Sequence, residues 1–424
     1  MPSLPSLRRR GFGLHDASCI ACTGLAPGVR TFVPPMTTLA LALALAPTMP
    51  TVRAALPPRH DCIAFDPCGQ AVDGHDAITK ASIAAALARQ LGLPFAGTYS
   101  TREHGPRRAY VVPCETLSQR EAAAWGVFDA SDLFGGVAPL PFVATKIISH
   151  SLVGAGAMAP AGWNAVFGEW VKCVVLEGWS AFSLDDAHVA GARLLRDGAV
   201  RVKDAAGVGG GGQTVVHDPA ALERALAARS PDSLRTHGVV LERNLNRVHT
   251  HSVGQVQIGA LMISYAGHQR LARNLHGHEV YAGSTLRVVR GGFDALLRQD
   301  LPDAVHLAVG QALDYHRAAM ASFHGLFASR SNYDVAQGFD DAGVWRSGVL
   351  EQSWRVGGAS GAELAAVQAL RERPDAAWVD ASTHEVYGDD AVAPADAQVH
   401  FDAVDPRVGG RLLKYARVDA HGSA

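Results

Sequence analysis

Residues 331–355 read SNYDVAQGFDDAGVWRSGVLEQSWR, two strand-like runs with a turn between them. The turn falls at Asp340–Gly343, where aspartate and glycine cluster, and this pattern predicts a β-hairpin. Asp334 lies on the first run and Glu351 on the returning run. Because paired strands bring opposite residues side by side on one face, we expect the two carboxylates to be neighbours.

Two neighbouring carboxylates repel each other unless a cation lies between them. Mg²⁺ is commonly held by one or two carboxylates together with substrate phosphates, so Asp334 and Glu351 form a candidate magnesium site. Two solvated charges on a strand surface are the alternative interpretation. Asp340 and Asp341 are expected to be turn residues.

A glycine-rich loop lies further towards the N-terminus. It joins two predicted strands, AVRVK (199–203) and QTVV (213–216), and Lys203 ends the first of them. Glycine N–H groups can close around phosphate oxygens because no side chains intervene. The glycines concerned are Gly207, Gly209, Gly210, Gly211 and Gly212.

Other interpretations of this loop are weaker. A dinucleotide-binding GxGxxG motif needs a helix after the loop, and a strand-like run follows here. A Walker A loop needs Gly-Lys-Ser/Thr, and this loop ends in Gly-Gln-Thr. A flexible hairpin tip stays open as the alternative, and Lys203 favours a phosphate site because it adds a fixed cation.

The N-terminal part of the folded chain alternates strands and helices. That order predicts a small α/β unit with a parallel sheet, ending near Gly135–Pro141. Thr116 is the expected cap of its second helix. The predicted elements are strands at 62–65 and 109–113 and helices at 77–91 and 116–127.

From residue 142 onward the sequence contains both strand-like and helix-like patterns. Residues 142–150 (FVATKIISH) are predicted to be a strand that carries Lys146, and 252–265 to be strand-like. Asn274–Gly292 is predicted to be a substrate loop, because polar, aromatic and glycine residues mix without a clear period. Predicted helices lie at 185–198, 218–228, 304–327 and 362–373.

Composition excludes several classes of protein. A chain of 424 residues suggests two or three domains. With 48% hydrophobic and 18% charged residues it can bury large cores. Lys and Arg (38) nearly balance Asp and Glu (40), which argues against a general nucleic-acid binder. No apolar run of about 18 residues occurs, so we expect no membrane span.

Cysteine usage and the N-terminus indicate a cytoplasmic protein. Six Cys in this length form no disulfide framework, and Cys19 and Cys22 are a single CxxC, which argues against zinc. Thr38–Pro47 has the length of a signal-peptide core, but the arginines upstream lie unusually far from it. Residues 1–57 are therefore expected to be a disordered leader, and the alternative is that translation starts at Met36.

Taken together, these motifs resemble the ATP-grasp superfamily, whose members mostly join a carboxylate to an amine or thiol through an acyl phosphate. Lys146 resembles the lysine before the first subdomain, and Lys203 the lysine that precedes the glycine-rich lid. VVLERNL (239–245) is similar to the strand end that holds adenine. The residues it implies for adenine are Glu242, Asn244 and Leu245.

The resemblance extends to the hairpin. The superfamily has an acid on one strand and Glu-x-Asn on the next; Asp334 and Glu351 match, and Ser353 stands where Asn is usual. The following arginine resembles one that positions substrate in biotin-carboxylase-like members, and GHQRLARN (267–274) resembles their Gln-Arg-rich strand end. The catalytic residues implied are Arg355, Arg270 and Arg273.

The resemblance covers roughly residues 60–420, which also look like a proteobacterial family of unknown function labelled biotin-carboxylase-like. It implies an α/β (α+β) chain with the ATP-grasp fold and a small N-terminal α/β domain. It also implies ATP and Mg²⁺ as cofactors, small-molecule substrates and, as in many relatives, a homodimer. The expected divisions are 1–57, 58–140, 141–240 and 241–424.

The sequence departs from the superfamily pattern in places that leave alternatives open. Serine is a weaker magnesium ligand than asparagine, and His249, Thr250 and His251 stand where an acid that binds ribose is expected. Bicarbonate and biotin are therefore not carried over as substrates. The main expectation is an ADP-forming carboxylate ligase. The alternatives are a nucleotide-binding sensor or scaffold without ligase chemistry, and a kinase.

Overall fold

The computed structural model of the protein describes residues 60–69, 72–99, 108–207 and 211–423. The predictions for residues 1–57, including Cys19, Cys22 and Met36, lie outside these ranges. Gly209 and Gly210 of the glycine loop lie outside them as well.

The first described part is an α/β unit with a parallel sheet, as predicted. Strand β1 pairs in parallel with β2 on one side and β3 on the other, and all residues of β1 and β3 are buried. The unit consists of β1 (Cys62–Asp66), α1 (His75–Leu91), β2 (Phe95–Thr98), β3 (Ala109–Pro113), β4 (Leu117–Ser118), α2 (Gln119–Ala124) and β5 (Gly136–Ala138).

Helix α1 has an identifiable cap at its C-terminus, and helix α2 has one at its N-terminus. Helix α1 ends at Leu91 and is capped by Gly92, whose φ of 66° is the left-handed conformation that glycine adopts readily. The predicted cap at Thr116 is wrong: helix α2 begins later, at Ser118, which forms a capping box with Glu121. The Thr116 hydroxyl instead donates to the Trp354 carbonyl oxygen at 3.2 Å.

The second part is a four-stranded antiparallel sheet in the order β6-β9-β7-β8, with helices packed on it. It contains the two strands predicted on either side of the glycine loop. Its elements are α3 (Ala165–Val171), β6 (Gly178–Ala181), α4 (Leu184–Leu194), β7 (Val200–Asp204), β8 (Gln213–Val216), α5 (Pro219–Ala227), α6 (Pro231–His237) and β9 (Val239–Arg243).

The predicted strand at 142–150 is wrong. These residues form two short 3₁₀ helices, Pro141–Ala144 and Lys146–Ser149. Proline begins the first helix, and the Thr145 hydroxyl caps the second by accepting from the Ile147 amide. The run is apolar because it is buried, and burial alone does not separate a strand from a short helix.

The third part is an eight-stranded antiparallel sheet in the order β15-β14-β10-β11-β12-β16-β18-β17. Its elements, with the short strand β13, are β10 (Asn246–Ile258), β11 (Leu261–Arg273), β12 (Glu279–Arg290), α7 (Phe293–Leu297), α8 (Asp303–Ser322), β13 (Phe327–Ala328), β14 (Arg330–Phe339), β15 (Trp345–Ser353), α9 (Ser360–Glu372), β16 (Ala376–Tyr387), β17 (Gln398–Asp405) and β18 (Gly410–Ser423).

Two sequence predictions are corrected in this sheet. Residues 252–265 are not one strand but parts of β10 and β11, which form a hairpin at Gly259. Most of the predicted substrate loop, Asn274–Gly292, is strand β12. The hairpin predicted at 331–354 is confirmed as β14 and β15.

Each face of the large sheet packs on a different core. Helices α1 and α9 cover one face, where Leu364 and Val367 are fully buried against Val288. Helix α8 covers the other face, which includes Val335 and Val349. Since side chains alternate along a strand, Asp334 faces away from the α8 core. The predicted divisions at 140 and 240 fall within one compact unit and stay predictions.

Candidate functional site

Asp334 and Glu351 are register partners on β14 and β15. A bulge follows immediately, between Asp334 and Val335, and it adds one residue to the returning strand. Asn332 Nδ2 donates to Asp334 Oδ1 at 2.9 Å, and Ser252 Oγ donates to the same oxygen at 3.4 Å. The hairpin therefore presents two carboxylates side by side, with one of them held by neutral donors.

The burial of Asp334 and its closeness to Glu351 both affect the pKa of Asp334. Burial, and then the charge of Glu351, raise the pKa of Asp334 from 3.8 to about 6. Across the part of the chain that the structure describes, no group of three or more His, Cys, Asp or Glu side chains could hold a metal ion. Any cation here would take its protein ligands chiefly from these two carboxylates.

Lys146 connects the carboxylate pair to the glycine loop. Its side chain is only 5% exposed, and Nζ lies 2.5 Å from Glu351 Oε2 and donates to the Gly207 carbonyl oxygen at 2.6 Å. The 3₁₀ helix that begins at Lys146 packs its isoleucines into the core, which fixes the origin of the long side chain. One buried ammonium group thus contacts both motifs.

Lys203 is buried beside this cluster and forms an ion pair with Glu242 on the adjacent strand β9. The two side chains are 2% and 1% exposed. Burial would raise the pKa of Glu242, but the charge of Lys203 and the neighbouring His150 imidazole, 3.4 Å away, outweigh it and lower the pKa to about 2. Burial also lowers the pKa of Lys203. The charge of Lys146 lowers it further, so the two ammonium groups interact electrostatically.

The glycine loop has a closed base. Lys203 pairs with Gln213, and the Asp204 amide donates to the Gly212 carbonyl oxygen at 2.8 Å. Gly212 has a φ of 69°, which a residue with a side chain would adopt only with strain. A Cβ atom on Gly207 would lie 2.5 Å from the Gly211 carbonyl oxygen, so the backbone turns back on itself there.

The residues implied for adenine have distinct surroundings. Asn244 Oδ1 accepts from Arg201 Nη2 at 2.7 Å, so its side chain is already engaged. Leu245 is buried in a small apolar cluster with Leu176 and Ala336. Leu350, which precedes Glu351 in the chain, packs against that cluster. An apolar patch therefore adjoins the carboxylate pair.

Ser353 lies opposite Asn332 and next to a buried cation. Arg330 Nη1 donates to the Ser353 carbonyl oxygen at 3.3 Å and to Oγ at 3.4 Å. Arg330 is in turn neutralised by Glu363 on helix α9, Nη2 to Oε1 at 2.8 Å, and both side chains are buried. Tyr265 adds a hydrogen bond to Glu363 Oε1 at 2.6 Å.

The sequence prediction missed Arg330 and Glu363. A signal was present, because Arg330 stands at the start of the strand that carries Asp334 and a charged residue in a buried strand needs a partner. The partner lies on a helix beyond the hairpin, and no local pattern predicts that contact.

Arg355 follows strand β15 and reaches the N-terminal unit. Its Nε lies 3.2 Å from Glu115 Oε2, and Nη1 donates to the Val356 carbonyl oxygen at 3.1 Å. The side chain is 18% exposed. Arg355 therefore lies between the hairpin and the loop that follows β3.

The structure does not bring the other two predicted arginines to this place. Gln269 donates to Ser252 on the face of Asp334, so the next residue, Arg270, points to the other face. Arg270 Nη2 donates to the Thr383 carbonyl oxygen at 2.5 Å. Arg273 is exposed at the end of β11.

The sequence of the chain matches the model of a protein family. The chain is a member of the family described as "Protein of unknown function (DUF3182)", whose model matches residues 66–416. No curated protein matches the chain. The fold class predicted from the sequence, a mixed α/β chain, is confirmed.

Several solved structures are similar to the chain in fold at low identity. A biotin carboxylase from Campylobacter jejuni is 10% identical, with 84% of this chain and 87% of that chain covered and a TM-score of 0.48. A phosphoribosylamine–glycine ligase from Thermotoga maritima is 12% identical, with 84% and 92% covered and a TM-score of 0.48. An N5-carboxyaminoimidazole synthetase from Staphylococcus aureus is 10% identical, with 85% and 93% covered and a TM-score of 0.45. A shared fold does not by itself assign an activity.

No helix among the described residues is long and apolar enough to cross a membrane.

Proposed function

We propose that this protein is an ATP- and Mg²⁺-dependent ligase that activates a carboxylate as an acyl phosphate for attack by an amine or another nucleophile. The observation that carries the proposal is the position of Lys146. Its ammonium group contacts both Glu351 of the carboxylate pair and Gly207 of the glycine loop. Phosphoryl transfer needs a cation, a metal site and a phosphate-binding loop close together. Lys146 would be the cation, and it contacts one residue of the candidate metal site and one residue of the candidate phosphate loop.

The nucleotide would lie between the two sheets that carry these groups. Lys146 and Lys203 would neutralise its α- and β-phosphates, and the glycine loop would cover the β- and γ-phosphates. The apolar patch around Leu245 suits a base, with Glu242 and Asn244 as its polar neighbours.

The carboxylate pair fits Mg²⁺. The raised pKa of Asp334 shows that burial and Glu351 disfavour its charge, and a divalent cation would relieve both effects. Asp334 and Glu351 would be its protein ligands, and phosphate oxygens would complete its coordination. When bound, Mg²⁺ would supply charge neutralisation on the phosphate oxygens.

Arg355 would hold the substrate carboxylate, since a guanidinium group matches two carboxylate oxygens in a bidentate way. One carboxylate oxygen would attack the γ-phosphorus, the bond from that phosphorus to the bridging oxygen would break, and ADP would leave. The nucleophile would then attack the acyl carbon and release phosphate. Glu115, the present partner of Arg355, would give way to the substrate.

A nucleotide-binding protein without ligase chemistry is the second candidate. It is favoured by the surroundings of Ser353, whose Oγ lies 3.4 Å from Arg330 Nη1. A neighbouring cation makes this hydroxyl a poor magnesium ligand. A kinase is the third candidate, because it also directs an oxyanion at the γ-phosphorus.

An assay that traps the acyl phosphate with hydroxylamine distinguishes the ligase, the nucleotide-binding protein and the kinase. The protein would be incubated with Mg-ATP, a panel of carboxylic acids and hydroxylamine, which converts an acyl phosphate into a stable hydroxamate. A ligase releases ADP and hydroxamate in equal amounts with at least one acid, and Glu351→Gln loses both. Glu372→Gln, which alters an exposed glutamate, retains both. ADP without hydroxamate would favour a kinase, and neither product would favour the binder.

We also propose that the protein acts on small molecules, without a nucleic-acid or membrane partner, in the cytoplasm and as a homodimer. Sedimentation of the full chain tests the oligomeric state: a mass of a single chain across a wide range of concentrations would contradict the dimer.

A further inference from the structure

Cys68 and Cys114 meet where two parallel strands end. Asp66 and Pro113 are register partners at the ends of β1 and β3, and Cys68 and Cys114 follow them. Neighbouring strands lie about 4.8 Å apart, so side chains just beyond such a pair can touch. The Cys114 amide also donates to the Asp66 carbonyl oxygen at 2.9 Å, which keeps the second loop close to the first.

The two thiols interact with each other and with the backbone around them. The ionisation of each thiol depends on the other. Cys68 Sγ also donates to Asp66 Oδ2 at 3.0 Å and accepts from the Glu115 amide at 3.2 Å. Cys114 Sγ donates to the Pro67 carbonyl oxygen at 3.0 Å. These contacts fix each sulfur atom beside the loop that carries the other.

The two cysteines are not equivalent. Cys114 is fully buried, whereas Cys68 is partly exposed, so a small oxidant reaches Cys68 first. The neighbouring Cys68 thiol lowers the pKa of the Cys114 thiol, and the charge of Lys80 lowers it further. The neighbouring Cys114 thiol, followed by burial, raises the pKa of Cys68. The pair thus combines a reachable thiol with an inner thiol that ionises more readily.

We propose that Cys68 and Cys114 form an oxidation site that closes into a reversible disulfide with a hydroperoxide as the oxidant. Cys68 loses its proton to solvent and its thiolate attacks one peroxide oxygen; the O–O bond breaks, a sulfenic acid forms, and when the oxidant is hydrogen peroxide the leaving hydroxide takes up a proton and departs as water. The Cys114 thiolate then attacks the Cys68 sulfur, the S–O bond breaks, and hydroxide leaves with the proton that Cys114 lost. Two thiols are oxidised, and one peroxide is reduced to two waters.

The site adjoins Arg355. The Glu115 amide contacts the Cys68 sulfur, and the Glu115 carboxylate contacts Arg355. Closing the disulfide would shift the loop that carries Glu115 and therefore the arginine. This consequence for catalysis rests on the proposed function, whereas formation of the disulfide does not.

Peptide mapping of the full-length protein tests the proposal. The reduced protein would be treated with hydrogen peroxide, the remaining thiols alkylated, and the digest analysed without reductant. We expect a linked peptide that contains Cys68 and Cys114 and that disappears with dithiothreitol. Cys68→Ser and Cys114→Ser each abolish the link, and Cys173→Ser, at an exposed cysteine, retains it.

The wild-type map decides the matter even if a serine variant fails to fold. Equal alkylation of both thiols with and without peroxide would overturn the proposal. So would oxidation of Cys68 to a sulfinic acid without a link to Cys114, or a link from Cys68 to a different cysteine. The map needs no ATP or substrate, so its result is independent of whether the protein is a ligase.

Discussion

Asp334 and Glu351 face each other across two antiparallel strands, and Lys146 contacts only one of them. Lys146 Nζ lies 2.5 Å from Glu351, whereas Asp334 accepts hydrogen bonds from the neutral side chains of Asn332 and Ser252. The same strand pair thus holds one carboxylate in contact with an ammonium group and one held by neutral donors. Burial, and then the charge of Glu351, raise the pKa of Asp334, which gives the site a measurable dependence on pH.

The free energy of unfolding of the metal-free protein should contain a contribution from Asp334 that falls as pH rises. The pKa of Asp334 is about 6 in the folded protein and 3.8 ordinarily. Between these values the folded state binds a proton that the unfolded chain has lost, so stability decreases as pH rises through this window. The loss is on the order of 1–3 kcal/mol.

Denaturant unfolding at pH 4 to 7 (about the range of the shift) measures this effect. Asp334→Asn should flatten the dependence on pH relative to the wild type. Asp375→Asn, at an exposed position, should leave it unchanged. A wild-type curve no steeper than that of Asp334→Asn would contradict the assignment.

Loss of either partner of the buried pair Arg330–Glu363 should destabilise the fold. Glu363→Gln leaves a guanidinium group buried without a counter-charge, which costs about 3–5 kcal/mol. Arg317→Met breaks an exposed pair with Asp294 and should cost at most about 1 kcal/mol. Denaturant midpoints measure both. Equal effects of the two substitutions would show that burial of Arg330 does not matter.

Gly178→Ala should disturb the environment of Glu242. Gly178 is the register partner of Glu242, and a Cβ there would lie 2.7 Å from the Leu241 carbonyl oxygen and 2.9 Å from His150 Cε1. Strand backbone cannot yield easily, so we expect a loss of roughly 1–3 kcal/mol.

Gly310→Ala is the matched control for that substitution. Gly310 lies in helix α8, and nothing lies within 4 Å of its added Cβ. Alanine there should stabilise the helix by about 0.5–1 kcal/mol. If thermal unfolding shows that Gly178→Ala is tolerated as well as Gly310→Ala, there is room for a Cβ atom beside Leu241 and His150, and the close packing described here is wrong.

Lys146→Met should loosen the glycine loop. It removes the donor that holds the Gly207 carbonyl oxygen. Hydrogen exchange of the amides of Asp204 and Gly207 should accelerate by about tenfold or more, since a charge-assisted hydrogen bond contributes about 1.5–3 kcal/mol. Lys172→Met, at an exposed lysine, should not change these rates. Unchanged exchange in Lys146→Met would show that the loop is held by its strand base alone.

The hairpin of the candidate site could be predicted from the sequence because its determinants are local. Alternation along β14 and β15, with turn residues at Asp340–Gly343, specifies the pairing of Asp334 with Glu351. The strands around the glycine loop were predictable for the same reason.

Contacts between distant segments could not be predicted in this way. The 3₁₀ helix at Lys146 has the composition of a buried strand, and its contact with Glu351 spans most of the folded chain. Strand β12 was mistaken for a loop because its alternation is interrupted where the register with β11 shifts, at Arg270. Gly283, with a φ of 127°, lies at that irregularity.

The proposed function requires Lys203 to form part of a nucleotide site. Thermal unfolding of the full chain with and without Mg-ATP tests it most directly, with each variant compared to its own ligand-free state. At about 100 times Kd, Mg-ATP should stabilise the wild type by roughly 2.7 kcal/mol, a shift of a few degrees. Lys203→Ala should abolish the shift, and Lys172→Ala should retain it. The absence of a shift in the wild type at millimolar Mg-ATP, or an equal shift in Lys203→Ala, would show that Lys203 does not belong to a nucleotide site.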